Sequence, residues 1–288
     1  MFSRTRVLLI LAALCVGCVP TWIVMVPLVP KEQSVSKKRS LQNLLQPAPN
    51  IFSGGEPKHS DDFAALARLG VRTVLSVDGV RPNLELASKH GLKYVHVPVG
   101  YDGIHLHAQH SLVRLVREDT GPIYIHCHHG KHRGPAAAAI ACRALGHFDC
   151  DNAIEFLKRA GTDPLYAGLY RDVRGFKIPP KETPLPELVP EAEVESLAVQ
   201  MGQIDRIFDR LSKEVRAEDT VLLLEAFREA ARSLDQDTPP NELLAAMQES
   251  LAGCRKLHEA KRHSTRKIAL KRVSLSCSEC HKKFRDAN

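Results

Sequence analysis

The stretch IHCHHGKHRGPAAAAIA, residues 125–141, decides how the rest of the chain is read. Four histidines (His126, His128, His129 and His132), Cys127, Lys131 and Arg133 crowd into positions 126 to 133, and an alanine-rich run follows. PIYIHC, residues 122–127, has the composition and length of a strand, and residues 133–145 read as a helix. A loop that feeds a helix N-terminus offers unpaired backbone N–H groups and the positive end of the helix dipole, which together make a seat for a dianion. Gly130 gives the turn its freedom, and Arg133 adds a forked pair of donors. A cysteine in such a positive field favours the thiolate, its reactive form.

Working outward, strands and helices alternate. DDFAALARLG, residues 61–70, follows Ser60 as a helix cap and stops at Gly70. VRTVLSV at 71–77 reads as a strand, 83–90 as a helix, YVHVPV at 94–99 as a strand and 105–118 as a helix. This order predicts an α/β domain with a mostly parallel sheet flanked by helices. Ligands of such sheets bind beyond the carboxyl ends of the strands, where the 126–133 cluster falls.

The spacing His126-Cys127, two residues, Gly130, two residues, Arg133 resembles the signature of the cysteine-dependent protein tyrosine and dual-specificity phosphatases. NIFSGGEP, residues 50–57, resembles their entry strand, so the resemblance covers 49–175. It implies Cys127 as the nucleophile, Arg133 as the phosphate clamp, His126 as the residue that orients the loop, and a cradle of His128, His129, Gly130, Lys131 and His132. The family's general acid is an aspartate upstream, which puts Asp102 of VGYDGIH in that role ahead of Glu118 and Asp119. Gly134 departs from the Ser or Thr that most members carry, implying slow breakdown of the phosphocysteine and a rate gain in Gly134→Ser. The resemblance implies a phosphorylated protein as substrate, with no cofactor needed for the chemistry, and the surplus basic residues point to a polyanionic phosphate ester more acidic than phosphotyrosine, a phosphoinositide or inositol phosphate. A metal site built from the four histidines is the rival reading, but ligands on one tight loop would block the phosphate seat. His105, His107 and His110 read as solvated, with substrate contact as the alternative, and Cys142 and Cys150 as core residues or a disulfide.

With 288 residues, 44% of them hydrophobic, the chain supports two modest domains. A net charge of +7 spread along the sequence argues against a nucleic-acid protein. Arg4 and Arg6 precede an apolar run from Val7 to Val29, predicting a membrane anchor or signal segment over 1–30 and a tether over 31–48. LCVGC at 14–18 offers lipidation at Cys18 as the alternative to an uncleaved anchor. Residues 176–192 are rich in proline and charge and read as an extended linker.

Beyond the linker the pattern is helical. Val194, Leu197, Met201, Ile204, Phe208, Leu211 and Val215 form one apolar stripe, and further helices are expected over 219–234, 240–262 and 265–286. They predict an all-α four-helix bundle over 193–288, through which a homodimer could form. CSECH at 277–281, followed by Phe284 and Arg285, resembles the haem motif of cytochrome c-prime. That resemblance implies haem c held covalently by Cys277 and Cys280, with His281 as the axial iron ligand and Met201 or Leu197 on the distal side. A zinc site is the alternative, with Cys254, His258 or His263 as the fourth ligand. Haem attachment would place both domains on the periplasmic side of a bacterial cytoplasmic membrane. Two functions follow: a phosphatase fused to a haem domain that senses redox state or gas or transfers electrons, or a cytochrome carrying a phosphate-binding module that does not turn over.

Overall fold

Side chains alternate across each strand, and that alternation builds two apolar faces on one sheet. A computed structural model describes residues 41–236 and 241–286 of the chain. Strands β1 (Leu45–Ala48), β2 (Ile51–Gly55), β3 (Thr73–Ser76), β4 (Lys93–His96) and β5 (Ile123–Cys127) pair in the order β1-β2-β5-β3-β4. Only β1 runs antiparallel; the other four strands are parallel. The central strand β5 therefore delivers Cys127 to the middle of the sheet's carboxyl edge.

Phe52, Val74, Tyr94 and Tyr124 point to one face, where they pack with Phe63 and Leu66 of α1 (Ser60–Arg68) and Ala87 of α2 (Leu84–Lys89). Ile51, Leu75, Val95, Ile123 and Ile125 point to the other, under α3 (Leu106–Glu118), α4 (Arg133–Ala144), α5 (Cys150–Arg159) and α6 (Ala167–Gly175). Helix α4 is the closest of these to the sheet. Its residues Ala136 to Ala141 are fully buried, and alanine's small side chain is what lets the backbone approach so nearly. The α/β body also takes in chain that the sequence suggested was tether, since β1 completes the sheet and Leu41 is buried.

Residues 176–192 have no regular secondary structure and are pinned to the α/β body. Val189 O accepts from His96 N at 3.0 Å, Pro186 O from Arg114 Nη1 at 2.9 Å, and Pro179 O from Arg117 Nη2 at 3.0 Å. Leu185 and Leu188 pack on the apolar core.

Helices α7 (Leu197–Lys213), α8 (Ala217–Gln236), α9 (Asn241–Glu259) and α10 (His263–Phe284) follow the predicted spans within a few residues. They share a second core built on Ile204, Leu211, Phe227, Leu251, Leu257 and Val273. Each packs on the next in sequence, while α7 and α10 meet far less closely. Val221 of α8 belongs to the core of the α/β body, so α8 is the helix that joins the two parts. The expected anchor over 1–30 lies outside the described residues, and no helix among those described is long and apolar enough to cross a membrane.

Candidate active site

Carbonyl groups of the 128–132 loop are turned away from its centre. His128 O accepts from Glu56 N at 3.2 Å, Gly130 O from Asn43 Nδ2 at 2.7 Å, and Lys131 O from Thr162 Oγ1 at 2.7 Å. No hydrogen bond among the described residues takes up the backbone N–H groups of 128–132. A peptide unit that points its oxygen outward points its N–H inward, so the loop forms the nest of donors expected of an anion seat. Gly130 makes this path available: its φ is +67°, and a Cβ on it would overlap the backbone of Gly54 and Gly55 in β2.

Cys127 ends β5 and Arg133 opens α4, so the two sequence-predicted residues flank the nest; Cys127 is 2% exposed and Arg133 is fully buried. The guanidinium is heavily tied. Nη2 donates to Asp78 Oδ1 at 2.8 Å and to the Tyr101 hydroxyl at 3.0 Å, Nη1 donates to Val99 O at 3.0 Å, and the Tyr101 ring lies 4.0 Å beneath it. Among the described residues its Nε–H is buried without a partner, one orphan donor at an otherwise satisfied group.

Asp78 belongs to no motif in the sequence, yet it sits at the centre of the site. Burial alone would raise its carboxyl, but the guanidiniums of Arg133 and Arg232 overcome that and hold it well below the usual carboxylate range. Glu56 behaves alike: burial opposes ionisation, while the His128 hydrogen bond at 3.0 Å and Arg232 lower it. Glu56, Asp78 and His128 come close enough together to suggest a metal cluster. The cation among them is Arg232, whose Nη1 lies 3.0 Å from both Asp78 oxygens and whose Nη2 lies 3.3 Å from Glu56 Oε2. Glu56, Asp78 and Tyr101 all follow the carboxyl ends of parallel strands, a positional signal that could have found them. Arg232 and Glu229, from α8, carry no such signal.

The histidines are less cationic than their number suggests. Burial pushes His126, His129 and His132 each down to about 4, with His128 adding to the effect at His129. His126 sits behind the loop, its Nε2 2.6 Å from the Tyr94 hydroxyl. His132 packs on Tyr166, and His129 on His128. Lys131 is exposed. With those three histidines neutral at neutral pH, the backbone N–H groups and Arg133 are the main anion donors of the loop.

Asp102 stands on the loop after β4 that also carries Val99 and Tyr101, the partners of Arg133. Its carboxylate is exposed and 3.7 Å from His105 Nε2, and its carbonyl accepts from Arg171 Nη2 at 3.3 Å. Asp119 is excluded as the acid, because it bonds Thr73 at the start of β3, on the opposite edge of the sheet. Cys142 and Cys150 are free thiols.

The haem c expectation is corrected by the packing of α10, which runs unbroken through Cys277, Cys280 and His281. Cys277 packs against the helical core beside Ser250, and burial pushes its thiol up to about 11. Met201 packs on the same core, and neither described cavity is lined by Met201, Cys277, Cys280 or His281. A macrocycle needs an apolar slot of several hundred Å³ at its ligands; Met201 and Cys277 are packed into the helical core and Cys280 and His281 lie half-exposed on the outside of α10, an arrangement that does not fit it. The periplasmic assignment drew on haem attachment and loses that support.

The chain matches no protein-family model and no curated protein. Among solved structures it is similar to TpbA of P. aeruginosa, at 22% identity over 47% of this chain and 86% of that one, with a TM-score of 0.40. It is also similar to a putative phosphatase (DUF442) from Shewanella putrefaciens, at 20% identity over 50% of this chain and 96% of that one, with a TM-score of 0.41. The core catalytic domain of the PP-IP phosphatase SIW14 from S. cerevisiae shares 18% identity over 48% of this chain and 88% of its own, with a TM-score of 0.43. Two of the three are named as phosphatases, and the likeness is a partial one of backbone over about half of this chain.

Proposed function

We propose that the chain is a cysteine-dependent phosphatase that cleaves phosphate monoesters through a phosphocysteine. The observation that carries this reading is the 128–132 loop: its carbonyls are tied outward, no described residue takes up its N–H groups, and it lies between Cys127 and an Arg133 whose Nε–H has no partner among the described residues.

In the first step the Cys127 thiolate attacks phosphorus, the S–P bond forms and the P–O bond to the leaving group breaks. Asp102 gives its proton to the departing oxygen. The loop N–H groups and Arg133 Nε–H hold the non-bridging oxygens as negative charge spreads over them. Water then attacks the phosphocysteine, the Asp102 carboxylate takes the water's proton, and inorganic phosphate leaves with the thiolate restored. Asp78 keeps Arg133 oriented throughout.

Because His126, His129 and His132 are neutral at physiological pH, the loop offers charge for one phosphoryl group rather than for a polyanion. Simple aryl phosphates and phosphotyrosine peptides are the better substrates on this reading. The apolar run Val7–Val29 supports attachment of this unit to a membrane, tested by whether the full chain stays with carbonate-washed membranes and a chain lacking residues 1–30 does not.

Aryl-phosphate hydrolysis by the full chain, run beside Cys127→Ser under reducing conditions, tests the enzyme. Slow hydrolysis lost in Cys127→Ser, with a phosphoryl group trapped on the Cys127 peptide after acid quench, supports it. Turnover that survives the substitution overturns it, and so does its absence from every variant described below.

A further inference from the structure

Glu225, Arg228, Glu229 and Arg232 lie three and four residues apart on one face of α8, and that face is turned onto the anion site. Glu229 Oε2 is 2.7 Å from Arg133 Nη1. One turn on, Arg232 spans Asp78 and Glu56. One turn back, Glu225 Oε1 accepts from the Tyr166 hydroxyl at 3.0 Å and from Arg228 Nη1 at 2.6 Å. Val221 anchors the same helix in the core of the α/β body.

The seat for Glu229 is shaped on both sides. A Cβ on Gly79, immediately after Asp78, would overlap the Glu229 carboxyl, so the absence of a side chain at 79 makes room for it. A cavity of about 380 Å³ is lined by Gly79, Tyr101, Asp102, Glu225 and Glu229 among others, but by neither Cys127 nor any residue of the 128–132 loop. Glu229 and Tyr101 line this cavity and also contact Arg133.

We infer that α8 is a built-in competitor for the phosphate site: the Glu229 carboxylate lies against the Arg133 guanidinium and offsets the positive charge that a bound phosphoryl group depends on, and catalysis requires this part of α8 to lift away. The inference rests on the phosphatase reading for its catalytic consequence, though not for its consequence on anion binding. The arrangement suits a reversible block. Burial and the neighbouring Asp78 make the Glu229 carboxylate costly to keep charged, and Arg133 and Arg232 only partly offset this, so a dianion offered to the same guanidinium has a weakened rival to displace.

The test uses the full chain, with Glu229→Ala, the near-isosteric Glu229→Gln, and Gly79→Ala, which evicts the carboxylate without removing it. Tungstate binding is measured by calorimetry, Cys127 alkylation by iodoacetate with peptide mass spectrometry, and aryl-phosphate turnover by initial rates. All three variants should bind tungstate about tenfold tighter or more, alkylate faster at Cys127 and show a lower KM. Unchanged tungstate affinity and alkylation in folded Glu229→Gln and Gly79→Ala overturn the inference, whatever the turnover. Tighter binding with no Cys127-dependent turnover in any variant leaves the block standing and overturns the phosphatase instead.

Discussion

Asp78 Oδ1 stands 2.8 Å from Arg133 Nη2, and both side chains are almost wholly removed from solvent. Asp78→Asn keeps the shape and removes the charge that two arginines share. Breaking one side of a buried pair costs about 3–5 kcal/mol, so a loss of that order is expected in urea unfolding. Tungstate affinity should fall with it, because Arg133 is no longer held in place.

Gly130→Ala meets two obstacles at once. The positive φ alone costs a non-glycine residue about 1–3 kcal/mol, and the added methyl runs into Gly54 and Gly55. The variant is expected to lose tungstate binding entirely, measured by calorimetry at a temperature where circular dichroism shows it folded.

The rate gain that the sequence suggested for Gly134→Ser is not expected in this fold. A Cβ at 134 would sit 3.0 Å from Cys127 N and 3.4 Å from Cys127 Sγ, tight against the nucleophile's own backbone. Overpacking of this kind costs about 1–3 kcal/mol, and the expected result is a lower melting temperature with no rise in kcat. A rise in kcat would show that the loop yields to the hydroxyl.

Acidification should destabilise the fold in a defined window. His126, His129 and His132 have an ordinary value of 6.5 and are held near about 4, so the unfolded chain binds protons that the native chain refuses between those limits. Stability present above pH 6.5 is lost as pH falls towards 4, and for the fully buried His126 the loss is on the order of 3 kcal/mol. Glu229 has the opposite sign, since its carboxyl is raised in the fold and takes up its proton there first. The net expectation is a fall in melting temperature from pH 7 to pH 5, flattened in His126→Gln.

Cys277 and Cys280 are expected to be dispensable for the α/β chemistry. The double substitution to serine should leave aryl-phosphate turnover unchanged, and wild-type protein should show no Soret band. Loss of turnover in the double variant would tie α10 to the site in a way its packing does not suggest.

Much of the site was legible because its parts are consecutive in sequence. Cys127, Gly130 and Arg133 are placed by one strand, one loop and one helix start, and local chemistry fixes their relation. The alternation of strands with helices likewise revealed a mostly parallel sheet, and the apolar stripe from Leu197 to Leu211 revealed α7. Asp78, Glu56 and Tyr101 were missed because each is brought to the loop by a different strand. Glu229 and Arg232 were out of reach altogether, since their partners lie far away in the chain and only the docking of α8 joins them. CSECH misled for the converse reason: a short spacing says nothing of whether the fold leaves room beside it.

The strap from 176 to 192, with Val221, bears on the strength of the inferred block at Arg133. Fastened through Pro179, Pro186 and Val189, it keeps α8 from diffusing away even when Glu229 lets go. A carboxylate held on so short a leash acts as though present at roughly millimolar concentration. On the inferred block, phosphate esters at trace levels would lose that contest, and the site would answer to substrates that are locally crowded.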